Sequence, residues 1–395
     1  MSSQPPIGVV DPAAYAPPVK ERNQRAMVAV VAAAAAVLLG IGAFLTHRRG
    51  LEPEPPPAEV TFPPLGPSEG AILFAGDTFL GLSADPLMAK HGPSAPLVGL
   101  APVFAGADAS AVIVNHEGAL TTRARFSGPN GRKHGYRGDP RAAQALADAG
   151  VTHASLANNH ALDQGLDGLR DTARHLRAAG VQDFGWGETL DEALAPEVVQ
   201  VGDTRVAIVG LLHPWPKYRK AGWGVTPNNA GLLFLEPAAI QAAVSRAHEV
   251  ADLVVLYAHT GREYQGVHAS QRVEASWAAQ AGSDALVGHH SHVGQGWSLH
   301  EGMPVVWGLG NAAFGSSGRF SGDDGYGLLA RMVVANGRID RFELMVIQTD
   351  PATTGYRSRP APRDVARQVL ERLARQGPTP LEIQGDVAIL RVPAP

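Results

Sequence analysis

The chain is predicted to be an α/β protein on two observations. Short apolar runs alternate with helix-spaced segments over most of residues 71–350, the pattern of strand–helix–strand units rather than of an all-α or all-β domain. The clearest unit is residues 253–292, which read DLVVLYAHTGREY, then a stretch over 269–281 free of Gly and Pro, then DALVGHHSHVG. Its two apolar runs suit strands buried on both faces. Each runs straight into histidine: His259 from the first, and His289, His290 and His292 from the second. Strand carboxyl ends are where open α/β sheets place functional groups, and convergent imidazoles point to a metal.

Composition narrows the field. With 395 residues, 45% of them hydrophobic, the chain can bury a full core in one to three domains. A net charge of −4 provides no global basic field, so nucleic acid is not an expected partner. There is no cysteine, which excludes disulfides, thiolate ligands and a Cys nucleophile.

Taken in order, residues 1–26 form a polar segment with Lys20, Arg22 and Arg25 towards its end. Residues 27–45 carry no charge, a length that spans a hydrocarbon core. No small-residue cleavage pattern follows, so the stretch is read as a transmembrane signal anchor rather than a cleaved leader. The cell membrane is therefore the expected location, with the folded part outside the cytoplasm. Residues 46–70 are proline-rich, an extended linker.

The folded domain, 71–350, opens with AILFAGD, a strand ending at Asp77. Residues 111–114 form a second strand, running into Asn115-His116-Glu117-Gly118. A basic loop follows with Arg123, Arg125, Arg132, Lys133, Arg137 and Arg141. Such a loop is either a solvated surface or a site for anionic groups. Asp139-Pro140 is expected to open a helix to 149, with Asp139 as N-cap and Pro140 in the first position. A third strand, 151–156, ends in Ala157-Asn158-Asn159-His160. There Asn can offer a neutral oxygen to a metal and His can donate a proton to substrate. Residues 163–179 are expected to be helical, closed by Gly180.

The strand 205–212 leads into His213-Pro214-Trp215-Pro216-Lys217-Tyr218, a substrate wall or a packed loop. A helix over 236–250 feeds the unit at 253–292. The strand 304–307 meets Gly308-Leu309-Gly310-Asn311-Ala312-Ala313, but no helix follows, so this G-x-G-x-x-A is not a dinucleotide site. Residues 328–334 and 338–347 flank Asn336-Gly337, a hairpin signal. A C-terminal extension, 351–395, holds a helix at 363–375 and a short strand at 387–392. There is no P-loop and no G-x-S-x-G elbow.

Asp77, Glu117, Asn159-His160, His259 and His290-Ser291-His292 thus end five segments. Carboxylate, amide oxygen and imidazole together suit one or two divalent first-row ions, with Mn, Fe and Zn all eligible. In this order the residues resemble those of the calcineurin-like metallophosphatase superfamily. More narrowly, GDTFLG, VNHEGAL, SLANNHALDQGLDGLRDT, HTGREY, GHHSHVGQGW and GLGN resemble the CapA family of poly-γ-glutamate capsule synthesis proteins.

The resemblance implies a four-layer α/β/β/α sandwich of two mixed sheets. It implies Asp77 on one ion, Glu117 as a bridge, Asn159, His259 and His290 on the second ion, and His292 returning to the first. His160 would be the catalytic group facing substrate. Arg123, Arg125, Arg132, Lys133, Glu263 and Asn311 would contact substrate. Three positions depart from the pattern: Phe79 stands where the superfamily has His, Thr260 where CapA relatives have Trp, and Ala312 where they have Phe. Three functions follow: a metal-dependent hydrolase of an anionic polymer or its precursor, a non-catalytic assembly factor within the capsule machinery, and a general phosphoesterase.

Overall fold

The computed structural model describes residues 60–124, 126, 128–131, 135–315, 322–375 and 382–394. The strand Glu69–Phe79 lies inside a ten-stranded sheet. On one side it pairs in parallel with Ala111–His116, then His153–Ser155, then Gln182–Phe184. On the other side it pairs antiparallel with Tyr326–Ala335, which returns as Arg338–Gln348. The turn between them holds Asn336 and Gly337 at φ 52° and 74°, the two left-handed residues that an Asn-Gly hairpin requires. Arg359–Pro360 and Val387–Arg391 extend this sheet from Arg338–Gln348, and Asn311–Phe314 joins Glu69–Phe79 in parallel.

A second sheet has six strands. Thr204–Leu212, Leu253–His259, Ala285–His289 and Met303–Gly308 run parallel, flanked by antiparallel Glu197–Val201 and Gly296–His300. The helix Ala269–Ala281 keeps the bounds its sequence predicts.

Side-chain alternation along the strands separates three cores. Ile72, Phe74 and Ile113 of the first sheet meet Ile208, Val255, Tyr257, Val287 and Val306 of the second. Leu73, Val112 and Val114 face the other way, onto Leu146 of the helix Ala142–Asp148 and Leu169 and Leu176 of the helix Gly165–Ala178. Val209, Val254 and Leu256 line the outer face of the second sheet, beneath Ile240 and Val244 of Pro237–His248 and Ala275 and Ala278 of Ala269–Ala281. Each fully buried Leu, Ile, Val or Phe contributes roughly 1.5–3 kcal/mol. Tyr257 also donates its hydroxyl to Ala75 O, tying the two sheets together at the buried end.

Two local expectations are corrected. The helix begins at Ala142, after Arg141, and not at Pro140: Asp139 accepts from the Arg141 backbone N–H at 2.8 Å and its guanidinium at 2.7 Å. The backbone first makes a tighter turn, Ala142 N–H to Asp139 O at 2.9 Å, so the Asx turn at Asp139 leads into the helix from two residues further out than expected. The next helix starts at Gly165 rather than 163, because Asp163 is taken up by His160. The expected membrane anchor, 27–45, lies outside the described residues, among which no helix is long and apolar enough to cross a membrane.

Candidate metal centre

The two sheets deliver different chemistry to one place. Asp77 is in register with Asn115 and with Asn311 on the first sheet, while His259 is in register with His289 on the second. Period-two alternation sends Asn115 to the same face as Ile113, towards the other sheet, and His116 to the helix side. After the Ala285–His289 strand ends, His290 and His292 take φ 90° and 56°. Such values are uncommon outside Gly and cost about 1–3 kcal/mol each. They turn His290 and His292 towards the same buried acids that His289 reaches from the strand.

Asp77 is completely buried and surrounded. Its Oδ1 accepts from Asn115 Nδ2 at 2.8 Å and lies 3.2 Å from His289 Nδ1 and 3.8 Å from His259 Nδ1. Its Oδ2 accepts from the His290 backbone N–H at 2.9 Å and lies 3.6 Å from His292 Nδ1. Asn115 Nδ2 is also 3.4 Å from Glu117 Oε2, so one amide spans both carboxylates. His259 Nε2 is 2.8 Å from Asn159 Oδ1, and His259 Nδ1 is 2.9 Å from His289 Nδ1.

Three groups of donors each lie within 4.8 Å of one another: Asp77, Glu117 and His292; Glu117, His259 and His290; and Asp77, His259 and His289. Two of these groups contain only residues expected as ligands. The third brings in His289, whose register with inward-facing His259 was the available sign.

This donor set fits a divalent cation. Glu117 Oε1, His289 Nε2 and His290 Nδ1 are buried without a hydrogen-bond partner among the described residues, a costly state for polar atoms. Burial, together with the charges of Asp77 and Glu263, pushes the Glu117 carboxyl well above its usual range. Burial would also raise Asp77, but the His289 hydrogen bond and the neighbouring imidazoles hold it below. Burial and the crowding of like rings push His259 and His290 well below the usual imidazole value, and burial lowers His289. These shifts favour the neutral form of His259, His289 and His290, the form in which imidazole binds a metal. Among the described residues, the ion-pair contacts of both carboxylates are to histidines, with no Lys or Arg.

His160 stands at the edge of the cluster. Its Nδ1 is 2.7 Å from Asp163 Oδ2, and its Nε2 is 3.8 Å from Glu117 Oε1. Asp163 also accepts from the Tyr136 backbone N–H at 2.7 Å and from Asn130 Nδ2 at 2.7 Å. An acid so occupied assigns the ring proton to Nδ1 and turns Nε2 towards the cluster. The Tyr136 ring stacks on His160 with centroids 3.8 Å apart, and Phe79 stacks on the other side of Tyr136 at 4.9 Å. Phe79 is thus part of an aromatic wall at the position where the superfamily pattern has a ligand. Sequence reasoning missed Asn130 and Asp163, the first a loop residue without a signature, the second read as the start of a helix.

The remaining expected residues divide. Asn311 Oδ1 is 2.8 Å from His292 Nδ1, so Asn311 orients a candidate ligand. Glu263 is exposed on the loop after His259. Arg123 is exposed and bonded to Asp171 on the neighbouring helix, Nε to Oδ2 at 2.8 Å. Arg125, Arg132 and Lys133 lie outside the described residues. In the aromatic loop, Trp215 packs 4.6 Å from the His290 ring and 6.3 Å from that of His259.

Comparison with known proteins bears on this arrangement. The chain is 27% identical over 282 residues to "PGA biosynthesis protein CapA" of Bacillus subtilis, covering 71% of this chain and 72% of that one. It is 27% identical over 249 residues to "Capsule biosynthesis protein CapA" of Bacillus anthracis, covering 62% and 59%. Among solved structures, the calcineurin-like phosphoesterase YfkN of Bacillus subtilis aligns with a TM-score of 0.41 and 13% identity, over 78% of this chain and 99% of that one. The family described as "Bacterial capsule synthesis protein PGA_cap" matches residues 71–316, a span that holds every candidate ligand from Asp77 to His292, and the chain belongs to that family.

Proposed function

We propose that this protein is a membrane-anchored capsule synthesis protein, its folded part outside the cytoplasm. In this reading it hydrolyses a bond in an anionic polymer of the poly-γ-glutamate kind, or in its precursor, at a divalent metal centre. The observation that carries the proposal is the buried meeting of Asp77, Glu117, Asn159, His259, His290 and His292, with His259 and His290 pushed towards the neutral form by burial and several ligand atoms unpartnered among the described residues. The relatives' names supply the polymer.

Asp77, Glu117 and His292 would hold one ion, and Glu117, Asn159, His259 and His290 a second. Bound there, a divalent ion supplies Lewis acidity and an activated water. The chain's own residues do the rest. Asn115 fixes both carboxylates, and Asn311 fixes His292. Asp163 holds the His160 ring through Nδ1–H, so that Nε2 can accept a proton from the attacking water and pass it to the leaving group. Burial of the cluster excludes bulk water and strengthens each of these interactions.

A second reading, an assembly factor that binds the polymer without cleaving it, is favoured by one feature. Phe79 fills its position with a ring stacked on Tyr136, which suits a single structural ion. Elemental analysis of protein purified without chelator, followed by a hydrolase screen with Mn, Fe or Zn, tests the proposal. Near-stoichiometric metal with metal-dependent cleavage is expected. Metal without any cleavage would favour the assembly factor, and less than about a tenth of an equivalent after reconstitution would overturn both. A reporter fused to the C-terminus tests the topology, which requires an extracytoplasmic signal.

A further inference from the structure

The basic loop at 123–141 is the expected anion reader, yet two of its described arginines are held by acids: Arg123 by Asp171, and Arg141 through its guanidinium by Asp139 at 2.7 Å. Arg137 turns to the backbone carbonyls of Thr122 and Arg123, at 3.5 and 3.4 Å. Asp77, Glu117 and Asp163 are buried, and a divalent ion would offset the first two, so the acid a polyanion meets at the rim is Glu263, exposed on the neighbouring loop. A fixed cation at that rim would draw the free carboxylates of the polymer.

We infer that Lys217 is that cation, a specificity-determining residue that reads the free carboxylates of the polymer; the inference rests on the function proposed above. Lys217 belongs to the short helix Pro216–Lys220, in the loop whose Trp215 lies against His290. Pro214 and Pro216 restrict the backbone on both sides of Trp215. The Lys217 ammonium is 3.5 Å from Asn130 Oδ1, and Tyr218 donates its hydroxyl to the same oxygen at 2.8 Å. The other end of that amide, Asn130 Nδ2, donates to Asn159 O at 2.6 Å and to Asp163 Oδ1 at 2.7 Å. One amide therefore separates the ammonium from a candidate ligand on one branch and from the acid that orients His160 on the other.

Three features suit Lys217 to the role. It is exposed, so a polymer can reach it. Its hydrogen bond to Asn130 is long and goes to a neutral oxygen, and no carboxylate among the described residues pairs with it. An ammonium has three donors, and Asn130 occupies one. Its Nζ also lies 4.6 Å from the Tyr218 ring centroid, which narrows the directions the head group takes.

The test titrates the full chain with a poly-γ-glutamate oligomer of about ten residues at low salt, where exposed charge is least screened. The controls are the same oligomer with its free carboxylates amidated, and Lys90→Met, an equal charge loss on the helix Asp85–His91. Lys217→Met is expected to weaken Kd roughly fivefold, Lys217→Arg to stay within about twofold of the parent, and Lys90→Met to change nothing. The amidated oligomer should bind the parent and Lys217→Met alike. Metal content and melting temperature should match the parent in every variant. Equal affinity of the parent and Lys217→Met, or an equal loss in Lys90→Met, overturns the role of Lys217 and leaves the proposed function standing. Failure of the parent itself to bind the oligomer overturns both.

Discussion

At its amino end the Glu69–Phe79 strand enters a network in which each charge has an opposite partner. Glu69 is bonded to Arg341 at 2.6 and 3.0 Å, Arg341 to Glu343 at 2.8 Å, and Arg331 Nε to Glu343 at 2.7 Å. Arg331 spends its remaining donors on Ala107 O and Pro63 O, beneath the Phe62 ring. Eight residues later, at Asp77, the same strand enters a cluster whose acids contact imidazoles and, among the described residues, no Lys or Arg. The causes differ as well. Glu69 is lowered to about 2, chiefly by the Arg341 hydrogen bond, whereas in the cluster burial raises Glu117 and Asp77 is held low against burial by the His289 hydrogen bond. Buried charge that serves the fold is closed off by the chain's own guanidinium groups. Buried charge that serves a ligand is left open for a cation the chain does not encode.

The largest test of that contrast is Asp77→Asn. It should reduce bound metal to background and abolish metal-dependent cleavage. The melting temperature in chelator should fall modestly, because Asn115 Nδ2 and the His290 backbone N–H lose a carboxylate acceptor that the fold holds in its ionised form. Calorimetry with and without chelator, beside elemental analysis, reads all three, and a variant that keeps its metal breaks the comparison. Within the cluster, His160→Ala should retain metal while turnover drops roughly 10²–10⁴-fold, the usual cost of a lost proton-transfer group. His290→Ala should lose the metal itself; the reverse pattern in the two variants would exchange their roles.

At the other end, Arg331→Met should destabilise the fold by about 3–5 kcal/mol, since Glu343 is left buried with one partner fewer. Urea unfolding reads the loss, and metal content should not move. The smallest effect concerns acid. Glu69 has an ordinary value near 4.5 and a folded value of about 2. Its share of stability is therefore complete above about pH 4.5 and disappears as pH falls towards 2. Glu69→Gln should flatten the stability profile in that window and lower stability at neutral pH, where the share of Glu69 is complete.

Much of this was legible in the sequence, because strand ends are local features. Apolar runs ending in Asp77, Glu117, Asn159 and His259 need only period two and the α/β alternation to be placed. The Asn336-Gly337 hairpin is read from two residues. Parity also separates Asn115 from His116: Asn115 bridges the acids, while His116 is buried with neither ring nitrogen bonded and burial lowering it to about 4. What was not legible depends on contacts between distant segments. Asn130 meets Asn159 and Asp163 across 29 and 33 positions, and Arg331 reaches Pro63 across 268. The left-handed turns at His290 and His292 run against residue preference, so a reading by propensity misses them.

The division of the cluster between the sheets makes it a seam. Asp77, Asn115, Glu117 and Asn159 come from one sheet, and His259, His289, His290 and His292 from the other. Chelation across a seam is a cross-link, and occupancy and unfolding then share one equilibrium. An ion a hundredfold above its dissociation constant adds about 2.7 kcal/mol to the folded state if it does not bind the unfolded chain. Scarcity of the ion would register first as a shorter lifetime of the folded protein: what reaches a reaction centre as a cofactor reaches the rest of the chain as a rivet.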